Sequence, residues 1–317
     1  MNGKLCRLTT EPGEELLPSL STDGNRMGFL VLRPPFTQIW WKELNEGLER
    51  QLFQAGNGHT VTRMQLSPDG AKAYFRVMEG PPPQRQAINA VEVATGQVRR
   101  VCDDCGMIMS VAPRGDMWVH ETGSRLTRLA VYLIERREKH EVIQHPHFAV
   151  QNGRLSPDGK WIAFHLDRGA AGKQIFVAPF RGPTAIEERD WIPVTAADGR
   201  SYMPAWGSSG ARLYFFADRD SARDLWTQPL DPGTKRPSGS PVEVYRFDDA
   251  GLTPLLERPA FYTGLSAGGD RLVLSPAEDT CTISIGRLGD NPLLSCVWLW
   301  LPMWQPSGGW KKERGLD

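Results

Sequence analysis

Ser67-Pro68-Asp69-Gly70 returns at Ser156-Pro157-Asp158-Gly159, and the same kind of turn recurs in four degenerate copies. Those copies are Ser21-Thr22-Asp23-Gly24, Ala112-Pro113-Arg114-Gly115, Gly207-Ser208-Ser209-Gly210 and Ser266-Ala267-Gly268-Gly269. Their last glycines are 46, 45, 44, 51 and 59 residues apart. Proline and aspartate favour a tight turn, and glycine takes the positive φ that closes it. Because a four-stranded propeller blade occupies roughly 40–45 residues, the spacing predicts six blades.

The residues around each turn have the period of two that is typical of strands. In the fourth copy Leu155 precedes the turn, and Ile162 and Phe164 follow it. Outer strands follow in five copies, and residues 4–10 lie ahead of the first inner strand, where they can supply the sixth. We therefore predict an all-β fold, a six-bladed β-propeller of four-stranded antiparallel blades, whose ring is closed by the N-terminal strand. Closure removes the exposed edge of an open sheet.

The periodic pattern covers most of the chain and then stops. It predicts a single propeller domain over residues 1–288, with residues 4–10 completing blade six. Residues 289–317 are predicted to form an irregular tail that is rich in tryptophan, with three in the stretch Trp298-Leu299-Trp300-Leu301-Pro302-Met303-Trp304. This stretch is too short and too interrupted by proline to span a bilayer.

Composition narrows the classes of partner. The chain has 37 Lys and Arg against 37 Asp and Glu, so its formal net charge is zero. A balanced charge gives no electrostatic reason to expect nucleic acid. No segment reads as a secretory signal or a transmembrane span. As written, the sequence predicts a cytoplasmic protein, or a periplasmic one if it is a fragment of a larger exported or membrane-anchored protein.

The repeat also resembles a known family. Leu155-Ser156-Pro157-Asp158-Gly159-Lys160-Trp161-Ile162-Ala163-Phe164, followed by Gln174-Ile175-Phe176-Val177, is similar to the TolB-like, WD-repeat-like β-propeller repeat. Within that family, the segments at 102–106, 174–180 and 225–232 resemble propellers attached to some bacterial Ser/Thr protein kinases and winged-helix regulators. The resemblance implies a sensor or interaction module. The resemblance does not imply kinase activity, because the sequence has no kinase catalytic motif.

One motif suggests a hydrolase. Gly264-Leu265-Ser266-Ala267-Gly268 fits the Gly-x-Ser-x-Gly nucleophile elbow. That elbow needs a helix after the serine, whereas Asp270-Arg271-Leu272-Val273-Leu274 has the pattern of a strand. In the register of the repeat, Ser266 is equivalent to Ser67 and Ser156. We therefore interpret Ser266 as a hairpin serine and predict no catalytic residues.

Two short motifs could begin a metal site. Cys102 and Cys105 have the spacing of half a zinc knuckle or of a redox pair, but no second pair follows nearby. His145 and His147 would lie on the same side of a strand, and oligogalacturonate lyases, which share a similar propeller, use a metal at the tunnel mouth. The competing interpretations are small residues at the end of an outer strand for the cysteines and a link loop for the histidines. No cofactor is predicted.

The mouth of the central channel is the predicted binding site, because the inner strands and their entry loops converge there. The residues expected at this place combine one acid, one base, two amides and two phenols, which suits hydrogen-bonded recognition better than acid–base catalysis. They are Glu15, Arg63, Gln151, Asn152, Tyr202 and Tyr262. The alternative is that they are ordinary solvated loop residues.

These observations predict a non-catalytic binding or sensor module, monomeric, that takes a protein or peptide partner or a small ligand. It could be detached from a larger signalling protein. Two alternatives stay open. One is a metal-dependent, lyase-like enzyme with its site at the channel mouth, and the other is the gating propeller of a peptidase that lacks its hydrolase domain.

Overall fold

The computed structural model describes residues 6–9, 14–56, 58–81, 83–197, 199–219, 222–247, 264–275 and 283–287. Over these ranges the chain forms 24 strands in six four-stranded antiparallel sheets. Its only helices there are three short 3-10 turns, Ser124–Leu126, Gly169–Ala171 and Glu188–Asp190. No helix in the described part of the chain is long and apolar enough to cross a membrane. The predicted tail, 289–317, lies outside the described residues.

Each sheet is one blade, and its strands run from the channel outward. Blade 1 is β2 (Glu14–Leu20), β3 (Arg26–Arg33), β4 (Phe36–Glu43) and β5 (Glu49–Ala55). Blade 2 is β6 (His59–Leu66), β7 (Lys72–Glu79), β8 (Arg85–Glu92) and β9 (Val98–Asp103). Blade 3 is β10 (Met107–Val111), β11 (Met117–Thr122), β12 (Arg128–Leu133) and β13 (Glu138–Gln144).

The second half of the ring repeats this order. Blade 4 is β14 (Ala149–Leu155), β15 (Trp161–Asp167), β16 (Lys173–Pro179) and β17 (Ile192–Pro193). Blade 5 is β18 (Ser201–Trp206), β19 (Arg212–Arg219), β20 (Ala222–Pro229) and β21 (Val242–Arg246). Blade 6 is β22 (Leu265–Gly268), β23 (Arg271–Leu274), β24 (Ser284–Arg287) and β1 (Cys6–Arg7). The predicted fold class is confirmed.

The N-terminal strand closes the ring. Cys6 pairs with Ile285, and the backbone N–H of Leu8 donates to the carbonyl of Ile283 at 2.8 Å. The outer edge of blade 6 is thereby covered by β1, from the opposite end of the sequence. Closure of this kind ties the first and last parts of the domain into one sheet.

The core lies between blades. Every pair of adjacent blades shares a buried apolar cluster, so both faces of a blade are packed. The cluster that joins blade 6 to blade 1 contains Met27, Phe29, Val273 and Ile283, each of which is buried. Two-sided burial explains why apolar residues occupy consecutive positions of the second strands instead of strictly alternating with polar ones.

The repeated turn is stabilised by a small hydrogen-bond network. In the turn of blade 2, the Ser67 hydroxyl donates to the Asp69 carboxylate and accepts the N–H of Lys72, while Asp69 accepts the N–H of Ala71. Blades 1 and 4 repeat these bonds with Ser21 and Asp23 and with Ser156 and Asp158. Aspartate is therefore a structural turn residue here, as the sequence indicates.

The hydrogen bond from Ser67 is the main cause that lowers the pKa of Asp69 below its ordinary value. A carboxylate whose folded-state pKa is depressed adds stability above its unfolded pKa, and that stability disappears as pH falls through the folded pKa. We expect Asp69→Ala to reduce the free energy of unfolding by about 1 kcal/mol at pH 7. Urea titrations from pH 7 to pH 3 should show this difference shrink below pH 4. An equal difference at pH 7 and pH 3 would contradict the assignment.

The sixth turn departs from the predicted register. The hairpin between β22 and β23 closes on two residues, Gly269 and Asp270, with Gly268 paired to Arg271. Ser266 therefore lies on the inner strand, and it is not equivalent to Ser67 as predicted. Its hydroxyl accepts the N–H of Leu20 at 3.0 Å, as Ser19 does for Leu66 one blade further on. The shorter turn moves the serine out of the hairpin, but the strand that follows still excludes a nucleophile elbow.

Candidate functional site

A cavity of about 130 Å³ occupies the central channel, and all six blades line it. It lies toward the face of the ring that carries the hairpins between inner and second strands, which we call the turn face. The opposite face, where the inner strands begin, is the entry face. The turn prolines Pro68, Pro113 and Pro157 line the cavity, and Thr22, Pro113 and Ser208 are its exposed members.

Serine hydroxyls line the wall of this cavity and also join neighbouring blades. Ser19 accepts the N–H of Leu66 at 3.0 Å, and Ser110 accepts the N–H of Leu155 at 3.2 Å. Ser266 accepts the N–H of Leu20 at 3.0 Å. Each serine thus uses an oxygen lone pair to hold the next inner strand. The Ser19 hydroxyl also donates to Gln65 Oε1 at 3.4 Å. The hydroxyl hydrogens of Ser110 and Ser266 are separate donors that a ligand in the channel can use.

Bulges in the inner strands turn polar side chains toward one another. The ladder between inner and second strands shifts between Val61 and Arg63 in blade 2, and between Gln151 and Arg154 in blade 4. At the second bulge Asn152 has φ 55°, a backbone conformation that asparagine tolerates better than most residues. A bulge re-aims the side chains next to it, and these shifts give rise to the polar cluster described next.

The channel cluster consists of Arg63, Glu121, Asn152 and Arg154. Asn152 lies at its centre, because its backbone N–H donates to Glu121 Oε1 at 2.6 Å and its Oδ1 lies 3.5 Å from Arg63 Nη2. Arg63 and Glu121 are both 2% exposed. Three blades therefore place two guanidinium groups and a carboxylate in one site, in which Arg154 is half-buried.

Arg154 connects this cluster to the cavity, since it is one of the residues that line it. Its Nη1 donates to Gln65 Oε1 at 2.9 Å and to the carbonyl of Met109. The carbonyl of Arg154 itself accepts the indole N–H of Trp206 at 2.9 Å. The side chain is thus held across blades 2, 3 and 4.

Burial governs the electrostatics of the cluster. Burial raises the pKa of Glu121 to about 7, although the Asn152 N–H and the two arginines favour its charged form. Burial, with the neighbouring Arg63, lowers the pKa of Arg154 to about 9. Burial also lowers the pKa of Arg63. The three groups therefore act on one another in a medium where charge is costly, and the site has one more cation than anion when all are ionised.

The structure brings two of the predicted channel residues together and separates the others. Arg63 and Asn152 meet in the channel cluster, whereas the Glu15 carboxylate accepts the hydroxyl of Thr9 beside blade 6. The Tyr202 hydroxyl donates to Asp218 at 2.6 Å within blade 5. Gln151 pairs with His165 in blade 4. Tyr262 lies outside the described residues.

None of these five described residues is a solvated loop residue. All lie on inner strands, and Glu15, Arg63, Asn152 and Tyr202 are buried, with Gln151 half-buried. Their role in ligand binding at the channel mouth stays a prediction. Because these residues are separated, they lie in at least three different environments and do not form a single group at the channel mouth.

Two buried histidines flank these environments. Burial lowers the pKa of His120 to about 4 and that of His165 to about 3, so both imidazoles are neutral at pH 7. His165 lies 6.4 Å from Tyr202, measured between ring centroids. A neutral buried imidazole is compatible with a structural role.

The two metal motifs have other roles in the structure. Cys102 and Cys105 form a disulfide with their Cα atoms 6.0 Å apart, which uses both thiols that zinc would need. His145 Nδ1 accepts the N–H groups of His147 and Phe148, at 3.1 and 2.9 Å. This loop follows β13, as the link-loop interpretation expects. Within the residues that the structure describes, no three His, Cys, Asp or Glu side chains are grouped to hold a metal.

Sequence reasoning missed Arg154 and Glu121. Arg154 stands two positions after Asn152, at the place that Ser19, Gln65 and Ser110 occupy in other blades, so the repeat register could have identified it. Glu121 follows the core residue His120 on a second strand, where alternation alone suggests a solvent-facing side chain. Because both faces of a blade are buried, that argument fails here.

Similarity to known proteins is confined to structure. No protein-family model matches the sequence, and no curated protein matches it significantly. Tricorn protease superposes with a TM-score of 0.60 and 16% identity, over 90% of this chain and 26% of that chain. Oligogalacturonate lyase from Vibrio parahaemolyticus gives 0.56 and 13%, over 89% and 80%.

TolB from Acinetobacter baumannii superposes with a TM-score of 0.54 and 18% identity, over 73% of this chain and 56% of that chain. The chain thus corresponds to about half of that TolB and about a quarter of tricorn protease. At these identities the likeness concerns the fold, and the same fold occurs in proteins of different activity. On this evidence the chain has a β-propeller fold similar to that of TolB.

Proposed function

We propose that the chain is a non-catalytic binding module that binds an extended peptide segment of a protein partner at the turn face, with part of that segment in the channel cavity. The observation that carries this proposal is the cavity itself, to which all six blades contribute. It combines hydroxyl and guanidinium donors with the apolar surface of Leu66, Leu155 and Trp206. A concave site with a few placed polar groups is the usual form of a binding site.

The polar groups of this site suit recognition better than chemistry. Ser266 is the serine that the nucleophile motif singles out, and its hydroxyl is engaged with the backbone of Leu20. Among the described residues no histidine lies within hydrogen-bond distance of it, whereas a nucleophilic serine needs an adjacent base. The sensor role that the sequence resemblance implies is compatible with such a binding module.

A second hollow is less suited to this role. It measures about 550 Å³ and lies between blades 1 and 2, where Trp41, Leu48 and Arg50 are among its lining residues. Only two blades form it, whereas all six blades line the channel cavity. It serves below as an internal reference for binding elsewhere on the surface.

The proposal is tested with two displayed libraries of random hexapeptides, one ending in a free C-terminus and one embedded between fixed segments. We expect at least one library to yield peptides that bind the protein. The double variant Thr22→Trp with Ser208→Trp should reduce their affinity at least tenfold, because both side chains are exposed members of the cavity lining.

The matched control is Thr95→Trp with Thr184→Trp, which adds two indoles at exposed positions elsewhere on the ring. It should leave affinity unchanged. The proposal is overturned if neither library yields a binder, or if binders are equally tight for the wild type and the cavity double variant.

A further inference from the structure

The channel cavity has the features of a site for a carboxylate. Three observations lead to this inference: an unused edge of one guanidinium, two hydroxyl donors in the same wall, and an excess of one positive charge. Each concerns described residues of blades 2, 3, 4 and 6. The inference rests on the proposed function, since it names the chemical group that the proposed binding site recognises.

The unused edge belongs to Arg154. Both of its hydrogen bonds, to Gln65 and to the Met109 carbonyl, are made by Nη1. Among the described residues no acceptor lies within hydrogen-bond distance of its Nη2 or Nε. Those two nitrogens form one side of the guanidinium, and that side matches the two oxygens of a carboxylate in a bidentate pair. The bonds from Nη1 also fix the orientation of the group before a ligand arrives.

The hydroxyl donors are Ser110 and Ser266, which line the same cavity as Arg154. Each already accepts a backbone N–H, from Leu155 and Leu20. A serine oxygen that accepts a hydrogen bond keeps its own hydrogen for donation. Among the described residues neither hydroxyl donates to an acceptor, so both can donate to an anion in the channel.

Charge and size favour a carboxylate over a larger or more highly charged group. The channel cluster contains Arg63, Arg154 and Glu121, so above about pH 7, where Glu121 is ionised, one positive charge is left to be balanced. A carboxylate carries one negative charge, whereas a phosphate monoester carries nearly two at pH 7. The cavity of about 130 Å³ is smaller than the 300–1,000 Å³ typical of sites for whole drug-sized ligands, so it admits a terminal group.

We propose that the channel cavity binds a carboxylate, held by Nη2 and Nε of Arg154 and by the hydroxyls of Ser110 and Ser266. Two sources share this chemistry, the C-terminus of a peptide and a small carboxylic acid. The peptide source fits the exposed turn face, where the rest of the chain can leave the cavity between the turn prolines. The experiment below separates the two.

The test uses calorimetric titration of the full chain with acetate, glutarate, inorganic phosphate, and the library peptides made both as free acids and as C-terminal amides. We expect each free acid to bind at least tenfold more tightly than its amide. Arg154→Gln should abolish that preference. Arg154→Lys should retain only part of it, because an ammonium cannot make the two parallel hydrogen bonds that a guanidinium makes to a carboxylate. Arg189→Gln, at a residue whose side chain is 77% exposed, should have no effect.

Each of the following results either supports or overturns the inference. Binding of glutarate or acetate that Arg154→Gln abolishes supports the inference, with a small acid as the source, even if no library peptide binds. Equal affinity for peptide acid and amide overturns it while leaving the proposed function intact. Tighter binding of phosphate than of every carboxylate also overturns it. If Arg154→Gln does not fold, Ser110→Ala takes its place, and an unchanged preference for the free acid in that variant overturns the hydroxyl contacts.

Discussion

Gly24→Ala is expected to destabilise the protein by about 4 kcal/mol or more, because Gly24 packs where blade 6 meets blade 1. Its φ is 73°, and a Cβ added there would overlap the carbonyl oxygen of Gly268. That oxygen belongs to backbone, so it cannot move aside as a flexible side chain would. The same region carries the backbone bond from Gly269 to Thr22, at 2.9 Å. The substitution therefore strains the turn and separates the two blades that close the ring.

Gly115→Ala provides a matched control for this result. Gly115 ends the equivalent turn of blade 3 with a φ of 69°, but nothing lies within 4 Å of an added Cβ. Its cost should be only that of placing alanine at positive φ, about 1 kcal/mol. Urea unfolding followed by tryptophan fluorescence gives both values. Equal costs would mean that the contact between blades 6 and 1 does not close the ring.

Glu121→Gln is expected to change how stability depends on pH. Burial raises the pKa of Glu121 to about 7, above the ordinary value of 4.5. Between these values the folded protein keeps a proton that the unfolded chain releases, so the wild type loses stability as pH rises from about 4.5 to about 7. The charged groups that act on Glu121 are Arg63 and Arg154. Glutamine cannot ionise, so this loss is absent in the variant.

The stability of the wild type relative to Glu121→Gln should therefore fall by about 3 kcal/mol between pH 4.5 and pH 8. Guanidinium-induced unfolding at half-unit intervals of pH measures the difference. Glu141→Gln is the control, since Glu141 is half exposed and pairs with Arg128 on the surface. Parallel pH curves for the wild type and Glu121→Gln would contradict the assignment of a buried, weakly acidic Glu121.

The architecture was predictable from the sequence because its signal is repeated. Six turns at nearly regular spacing specify six hairpins, and residues 4–10 have one place to pair once the last blade lacks an outer strand. The exact register was predictable only where the turn chemistry is retained. Around Ser266 the turn has lost its proline and aspartate, and a two-residue hairpin replaces the longer one.

The candidate site was predictable only in part. Arg63 and Asn152 could be placed on inner strands by counting from the turn, and the structure brings them together. Arg154 and Glu121 were missed because local bulges and burial on both faces of a blade override simple alternation. The partners of Glu15 and Tyr202 are the nearby Thr9 and Asp218, and the period of two along a strand does not specify these side-chain contacts.

A partner that enters the channel at the turn face must come close to Trp206. Its side chain lines the cavity, whereas Trp41 lines the hollow between blades 1 and 2. With ¹⁵N-labelled tryptophan, and with Trp206→Phe and Trp41→Phe to assign the two indole signals, a library-selected peptide is titrated into the protein. We expect the Trp206 indole signal to shift and saturate while that of Trp41 stays in place. A saturable shift of Trp41 with Trp206 unchanged would contradict it.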